Sequence, residues 1–227
     1  KDLDSLSEWS EKWLLRFNPS ECKVMHVGHD HLNTRYFMRD EASPIELQVV
    51  TEEKDLGVLF TDDLKPRRQC MAAALRASRV IGLGRRNFKD LDKKDFLLLY
   101  KTYIRPHLEY CVQAWSPYLE RDIDILERVQ RSATGLFLLS GFAKYSYEDR
   151  LKKLGITTLR RRRERGDLIE VYRLMSGKES IEKAQFFRPA RCDYNLRGHS
   201  MKIGKERSRL DIRKYSFSQR VVNSWNL

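Results

Sequence analysis

The sequence predicts an α+β protein, in which a small N-terminal helix and an antiparallel β meander precede a mainly α-helical region. Three observations carry that expectation. Short β-rich stretches crowd into residues 1–64; from Leu64 onward the apolar residues recur at helical spacing instead; and the charge divides at the same place. Residues 1–64 hold seven Lys or Arg and 14 Asp or Glu, net −7, whereas residues 65–227 hold 37 and 18, net +19. With 41% apolar and 11% aromatic residues in a chain of 227, disorder and a disulfide-stapled miniature scaffold are both excluded. A one-sided positive charge of this size points to a polyanionic partner.

In the first segment Leu3, Leu6, Trp9 and Trp13 form an amphipathic helical stripe, and Asn18-Pro19 ends it because the residue before proline leaves the helical region. Lys23 to Val27, Tyr36 to Met38, Glu46 to Val50 and Leu56 to Phe60 read as strands. Gly28-His29-Asp30, Asp40 to Pro44 and an acidic turn at Glu52 to Asp55 separate them. Residues 65–145 follow as helices. Pro66 suits a first helical turn, and Met71, Ala74, Leu75, Ser78 and Ile81 line one face until Gly82 and Gly84 weaken it. Asp92 caps a second helix with a stripe of Phe96, Leu99, Tyr100 and Tyr103 ending near Pro106. A third begins after Ser116-Pro117 and turns Ile123, Leu126, Val129, Ala133 and Leu136 inward. Residues 146–227 form a basic C-terminal region. There Ser146 and Asp149 make a capping box for a short helix ending at Gly155, Thr158 caps a helix running toward Gly177, and an irregular tail leads to a last helix near Ser216 to Ser224.

No apolar run approaches the roughly 20 residues of a membrane span, so no membrane partner is expected. Cys22, Cys70, Cys111 and Cys192 lie far apart without paired spacing, which suits free thiols in an intracellular, reducing compartment. The chain opens on Lys1-Asp2-Leu3, already in the rhythm of a helix, and reads as a piece of a longer polypeptide.

Several constellations invite a chemical reading. Phe60-Thr61-Asp62-Asp63 matches the aromatic-x-Asp-Asp turn that presents metal-binding carboxylates in template-directed polymerases, but no apolar strand follows it, and a helix cap is the stronger reading of Asp62 or Asp63. Cys22, His26, His29 and His31 hold zinc-compatible atoms without the spacing of a common finger, so a polar-tipped hairpin is preferred and no metal site is assigned. No nucleophile triad or phosphate-cradling glycine loop emerges, and no catalytic residue is assigned. Arg160 to Arg163 with Arg165 is the densest positive run, readable as a solvated helix face, a nuclear-import patch or a phosphate-binding surface. Residues 178–227 add twelve basic and five acidic side chains, interleaved with Phe186, Phe187, Tyr194, Tyr215, Phe217 and Trp225. Basic groups neutralise phosphates and aromatic faces stack bases, so the combination suits nucleic acid; filling a small core is the competing reading of each ring.

Longer strings carry a family resemblance. Trp9-Ser10-Glu11-Lys12-Trp13-Leu14-Leu15-Arg16-Phe17-Asn18, Cys22-Lys23-Val24-Met25-His26-Val27-Gly28, Glu53-Lys54-Asp55-Leu56-Gly57-Val58, Arg105-Pro106-His107-Leu108-Glu109-Tyr110-Cys111, Leu126-Glu127-Arg128-Val129-Gln130-Arg131 and Arg197-Gly198-His199-Ser200 occur in that order. Together they resemble the C-terminal half of LINE-type (non-LTR, jockey-like) retrotransposon reverse transcriptases. The resemblance implies that residues 1–64 are the palm end with a primer-grip hairpin at Leu56-Gly57-Val58, and that a thumb starts at Pro66. It places the catalytic aspartates, and the Mg ions they hold in the intact parent enzyme, outside this sequence, so no cofactor is expected here and the isolated chain is expected to be inactive. The expected partners are an RNA template and a DNA primer, in the nucleus. The nucleic-acid-binding candidates are Lys23, Leu56, Gly57, Lys65, Arg67, Arg68, Arg160, Arg161, Arg163, Arg165, Arg213 and Lys214. Glu21 stands where relatives often carry Lys, and Cys192 with His199 cannot by themselves build the knuckle that ends some of these enzymes. The alternative is an element-derived helical protein-interaction module, or a remnant without a selected role.

Overall fold

The computed structural model describes residues 2–28, 32, 34–39, 43–89, 91–136, 142–190, 199 and 201–227. His29, His31, Cys192, Tyr194 and the Arg197-Gly198 and Ser200 positions lie outside the described residues. The chain divides into two compact units, Lys1–Lys65 and Pro66–Leu227. The α+β class with a mainly helical C-terminal region is what the structure shows.

In the first unit, helix α1 (Asp2–Trp13) has Asp2 and Asp4 in its first turn and Lys12 in its last, matching the helix dipole. Its packing inverts the expected stripe. Ser7 and Ser10 are buried, while Leu6, Trp9 and Trp13 are exposed. Small serines permit close approach to β2, and the Ser7 hydroxyl is satisfied by donating to the Leu3 carbonyl at 3.0 Å.

The β portion pairs differently from one continuous antiparallel meander. β1 (Lys23–Val24) runs parallel to β4 (Gln48–Val49), and β2 (Phe37–Met38) pairs antiparallel with β3 (Ile45–Glu46). The parallel pair is possible because the long connection from β1 to β4 contains the β2–β3 pair; parallel strands cannot be joined by a tight turn. The stretch expected to be an acidic turn is a strand, β5 (Glu52–Asp55), paired along its whole length with β6 (Val58–Thr61). Asp55 opposite Val58 leaves only Leu56 and Gly57 at the tip, with φ of +44° and +87°. Two positive φ values define the turn that matches strand twist in two-residue hairpins. Gly57 adopts its value freely, whereas Leu56 carries Cβ strain.

In the second unit, α2 (Arg67–Asn87) packs chiefly on α6 (Glu120–Leu136). The buried face of α2 is Cys70, Ala73, Ala74, Ala77 and Ile81, and Met71 and Leu75 are exposed. This rotates the expected stripe by about one residue, or 100°. Alanines at the contact let the helices approach closely, and their small side chains mark a buried face only weakly in the sequence. Ile123, Leu126, Val129 and Ala133 of α6 are buried as the periodicity predicts.

Asp92 caps α3 (Lys93–Leu99) by accepting from the Asp95 amide at 2.7 Å. The helix does not stop before Pro106. A π-helical turn, Tyr100–Ile104, widens the backbone and α4 (Arg105–Glu109) continues with Pro106 in its first turn. Wider spacing relieves the clash of a proline ring with a preceding carbonyl. It also shifts the stripe, so Phe96, Tyr100, Ile104 and Leu108 are buried and Tyr103 is exposed. After α5 (Val112–Trp115) and α6, Ser146 and Asp149 form the capping box of α7 (Tyr147–Leu154), with Gly155 closing it at φ +69°. Thr158 caps α8 (Leu159–Met175) through the Arg161 amide. Three short helices, α9 (Asp211–Lys214), α10 (Phe217–Arg220) and α11 (Val222–Trp225), bring Val221 and Val222 against Val171, Leu174, Phe187 and Ile203.

A buried polar layer joins the π-helical turn, α6, α7 and α8. Gln130 accepts from the Tyr100 hydroxyl and donates to the Tyr147 hydroxyl at 2.8 Å and the Thr157 carbonyl at 3.1 Å. Glu127 accepts from the Tyr147 hydroxyl at 2.6 Å and the Leu159 amide at 3.1 Å. Burial, reinforced by Glu127, pushes the Tyr147 hydroxyl far above its ordinary range.

Candidate nucleic-acid interface

In the first unit, Lys23 reaches from β1 to Glu53 of β5 at 2.8 Å. The Lys23 ammonium holds the Glu53 carboxyl below its usual range. Its charge is therefore shared with a carboxylate. Leu56 and Gly57 stand at the hairpin tip, and Leu56 is 85% exposed. The two-residue turn thus presents a large aliphatic side chain at the surface.

The Asp-Asp pair behaves as a turn lock. Asp63 accepts from the Thr61 hydroxyl at 2.7 Å and the Lys65 amide at 3.0 Å, and it pairs with the Lys65 ammonium at 2.9 Å. Burial raises its pKa, but these donors outweigh it and hold the carboxyl down at about 2. The N-cap of α2 is Pro66, which offers no side-chain cap, so Asp63 orders the turn before the helix and is not its cap. Its oxygens are already engaged and do not suit a two-metal site. Among the described residues no group of three His, Cys, Asp or Glu could hold a metal ion.

At the start of α2, Arg67 and Arg68 are exposed. Arg67 lies 3.6 Å and Arg121 3.8 Å from Asp122, whose carboxylate is buried and has no hydrogen-bond donor among the described residues. Arg67 is thus partly committed to compensating a carboxylate that is out of water.

The arginine run on α8 divides sharply. Arg160 binds Glu120 at 2.9 Å and Glu164 at 3.6 Å. Arg162 holds Glu109 with two donors, the second at 3.0 Å, and that hydrogen-bonded carboxylate raises its pKa further. Arg163 is 4% exposed, with both terminal nitrogens buried, and burial lowers its pKa. A guanidinium in the core is not available to a phosphate, which corrects its place among the candidates. Arg161 and Arg165 are exposed, and their side chains have no ion-pair partner among the described residues. One turn apart, they share one face of α8.

In the tail, Arg213 pairs with Glu206 at 3.1 Å and Lys214 lies over the Tyr215 ring at 5.2 Å. The interleaved aromatics are mostly structural. Phe187 is buried, Phe217 and Trp225 pack against the same core, and Tyr215 stacks on Tyr118 with ring centroids 4.5 Å apart. Two exposed ring–cation pairs lie elsewhere, Lys153 over Tyr145 at 3.8 Å and Lys178 over Tyr172 at 4.9 Å. Tyr145 precedes the Ser146 cap and Lys153 lies within α7, so no helical spacing links the first pair in the sequence.

Among the described residues no helix is long and apolar enough to cross a membrane. Cys22, Cys70 and Cys111 are free thiols, and burial pushes the Cys70 thiol up to about 12. No protein-family model, curated protein or solved structure matches the chain.

Proposed function

We propose that the chain is the palm-end, primer-grip and thumb portion of a LINE-type reverse transcriptase, which grips an RNA–DNA template–primer without containing the catalytic aspartates. The observation that carries this reading is an order of elements. A tight hairpin with an exposed Leu56-Gly57 tip is followed directly by a mainly helical unit with a strong positive charge, in the sequence the family resemblance implies. The hairpin tip would meet the primer end, Arg161 and Arg165 would meet backbone phosphates, and Arg68 and Lys214 would add to the field. Lys23, Lys65, Arg67 and Arg213 would contribute less, since Glu53, Asp63, Asp122 and Glu206 already share their charge. RNA-directed DNA synthesis belongs to the intact parent, with Mg held by aspartates outside this chain.

Template-primed extension with deoxynucleotides and Mg, run beside binding of the same hybrid, tests the proposal. The expected result is binding without extension. Robust extension by the purified chain, or absence of hybrid binding at low salt, would contradict it.

A further inference from the structure

The second unit carries a surface groove that nucleic-acid binding does not explain. It runs between the C-terminal half of α2 and α3 with its π-helical continuation, has a volume of about 710 Å³, and is lined by Val80, Leu83, Phe88, Leu91, Leu98 and Tyr103 among others. Leu83, Phe88, Leu98 and Tyr103 are 52%, 48%, 66% and 62% exposed. Four large, exposed apolar side chains lining one groove are what an interaction site presents, unlike singly scattered surface hydrophobics. On the other side of Leu98, Lys93, Lys94, Leu97 and Lys101 line an adjoining depression.

The rim is basic. Arg79 lies one turn before Leu83 on α2, and Arg76 lies one turn before Val80. Lys94 and Lys101 bracket Leu98 at four residues before and three after. Asp95 lines the groove and Asp92 the depression, but the Asp92 side chain is taken up in capping α3. The floor is mainly aliphatic and offers few donors to a phosphate, which disfavours a nucleic-acid strand as occupant. Aliphatic floor and cationic rim together complement a helix with leucine-like side chains along one face and carboxylates beside them.

We propose that this groove docks an acidic amphipathic helix of a protein partner, its apolar face at i, i+3, i+4 and i+7 seated on Leu83, Phe88, Leu98 and Tyr103. Its carboxylates meet Arg76, Arg79, Lys94 and Lys101.

The test uses the full chain and a fluorescein-labelled synthetic helix with leucines at i, i+3, i+4 and i+7 and glutamates between them, beside a scrambled peptide of the same composition. Anisotropy should show the amphipathic peptide binding at least about tenfold more tightly than the scrambled one, because only aligned leucines can be buried together. Leu83→Gln with Leu98→Gln should weaken binding by about tenfold or more, and Lys94→Glu with Lys101→Glu should weaken it and flatten its salt dependence. In the unaltered chain, a photo-crosslinker on the peptide should label residues 80–103, a readout that needs no variant to fold. Equal binding of the scrambled peptide, labelling elsewhere, or unchanged affinity in the double glutamine variant would overturn the proposal. So would a single-stranded oligonucleotide, or self-association of the chain, that is lost in that variant, since each would assign the groove a different occupant.

Discussion

The arginine run on α8 yields a prediction in which charge alone and structure disagree. Counted by charge alone, Arg160, Arg161, Arg162, Arg163 and Arg165 are equivalent, and all but Arg162 stand among the phosphate-binding candidates. In the structure Arg160 is held by Glu120 and Glu164, Arg162 by Glu109, and Arg163 is buried. Two of the five, Arg161 and Arg165, remain for phosphates. Each phosphate contact contributes about 0.9 to the slope of log K against log salt, so Arg161→Gln with Arg165→Gln should flatten that slope by up to about 1.8. At about 0.1 M salt the affinity for an RNA–DNA hybrid should fall by roughly tenfold to a hundredfold, with thermal stability unchanged. Arg162→Gln should behave in the opposite way, costing about 2 kcal/mol of stability through the loss of a partly buried, doubly hydrogen-bonded ion pair while leaving the slope nearly intact. Anisotropy titrations over a range of KCl concentrations, paired with thermal melts, separate the two effects. An equal loss of slope in both variants would refute the division of the run.

Three further outcomes follow from the packing. Gln130→Leu strips the buried Tyr100 hydroxyl of its acceptor and the Thr157 carbonyl of a donor, a cost of about 2–5 kcal/mol, read by denaturant titration; a loss below about 1 kcal/mol would mean the layer is not satisfied as described. Leu56→Asn places at the hairpin tip a residue that tolerates positive φ, and amides of residues 52–61 should exchange more slowly by a factor consistent with about 0.5–1 kcal/mol; faster exchange would show that Leu56 packs on something. The Asp63 carboxyl has a folded pKa lowered to about 2, so its contribution is fully present above its ordinary value of 3.8 and is lost as pH falls through about 2. Stabilities of the wild type and Asp63→Asn should therefore converge on acidification over that window, and a constant gap would contradict the turn lock.

Caps were the most legible features, because one side chain and one amide decide each of them, although neither Asp62 nor Asp63 caps α2 and that helix runs through Gly82 and Gly84. Asp92, Ser146, Thr158 and Gly155 all act where the sequence places them. Helix faces were harder. The α2 contact is made by Ala73, Ala74 and Ala77, whose small size matters more than their hydrophobicity, and α1 buries Ser7 and Ser10 in place of its tryptophans. Pro106 reads as a stop but sits in a continuous helix, because a π turn before it makes room. At the candidate interface the charge was visible and its availability was not. Glu109 lies far from Arg162 in sequence, Glu120 far from Arg160, and the burial of Arg163 depends on how α8 packs in the fold. The aromatic tail illustrates the same limit, since Phe187, Phe217 and Trp225 fill a core whose other half comes from Val171 and Leu174.

Titrating the unaltered chain against an RNA–DNA hybrid at increasing salt tests the central claim most directly. A thumb-like grip by a +19 region predicts tight binding at low salt and log K falling linearly with log salt, with a slope reflecting several phosphate contacts, each worth about 0.9. No binding at low salt, or an affinity indifferent to salt, would contradict it.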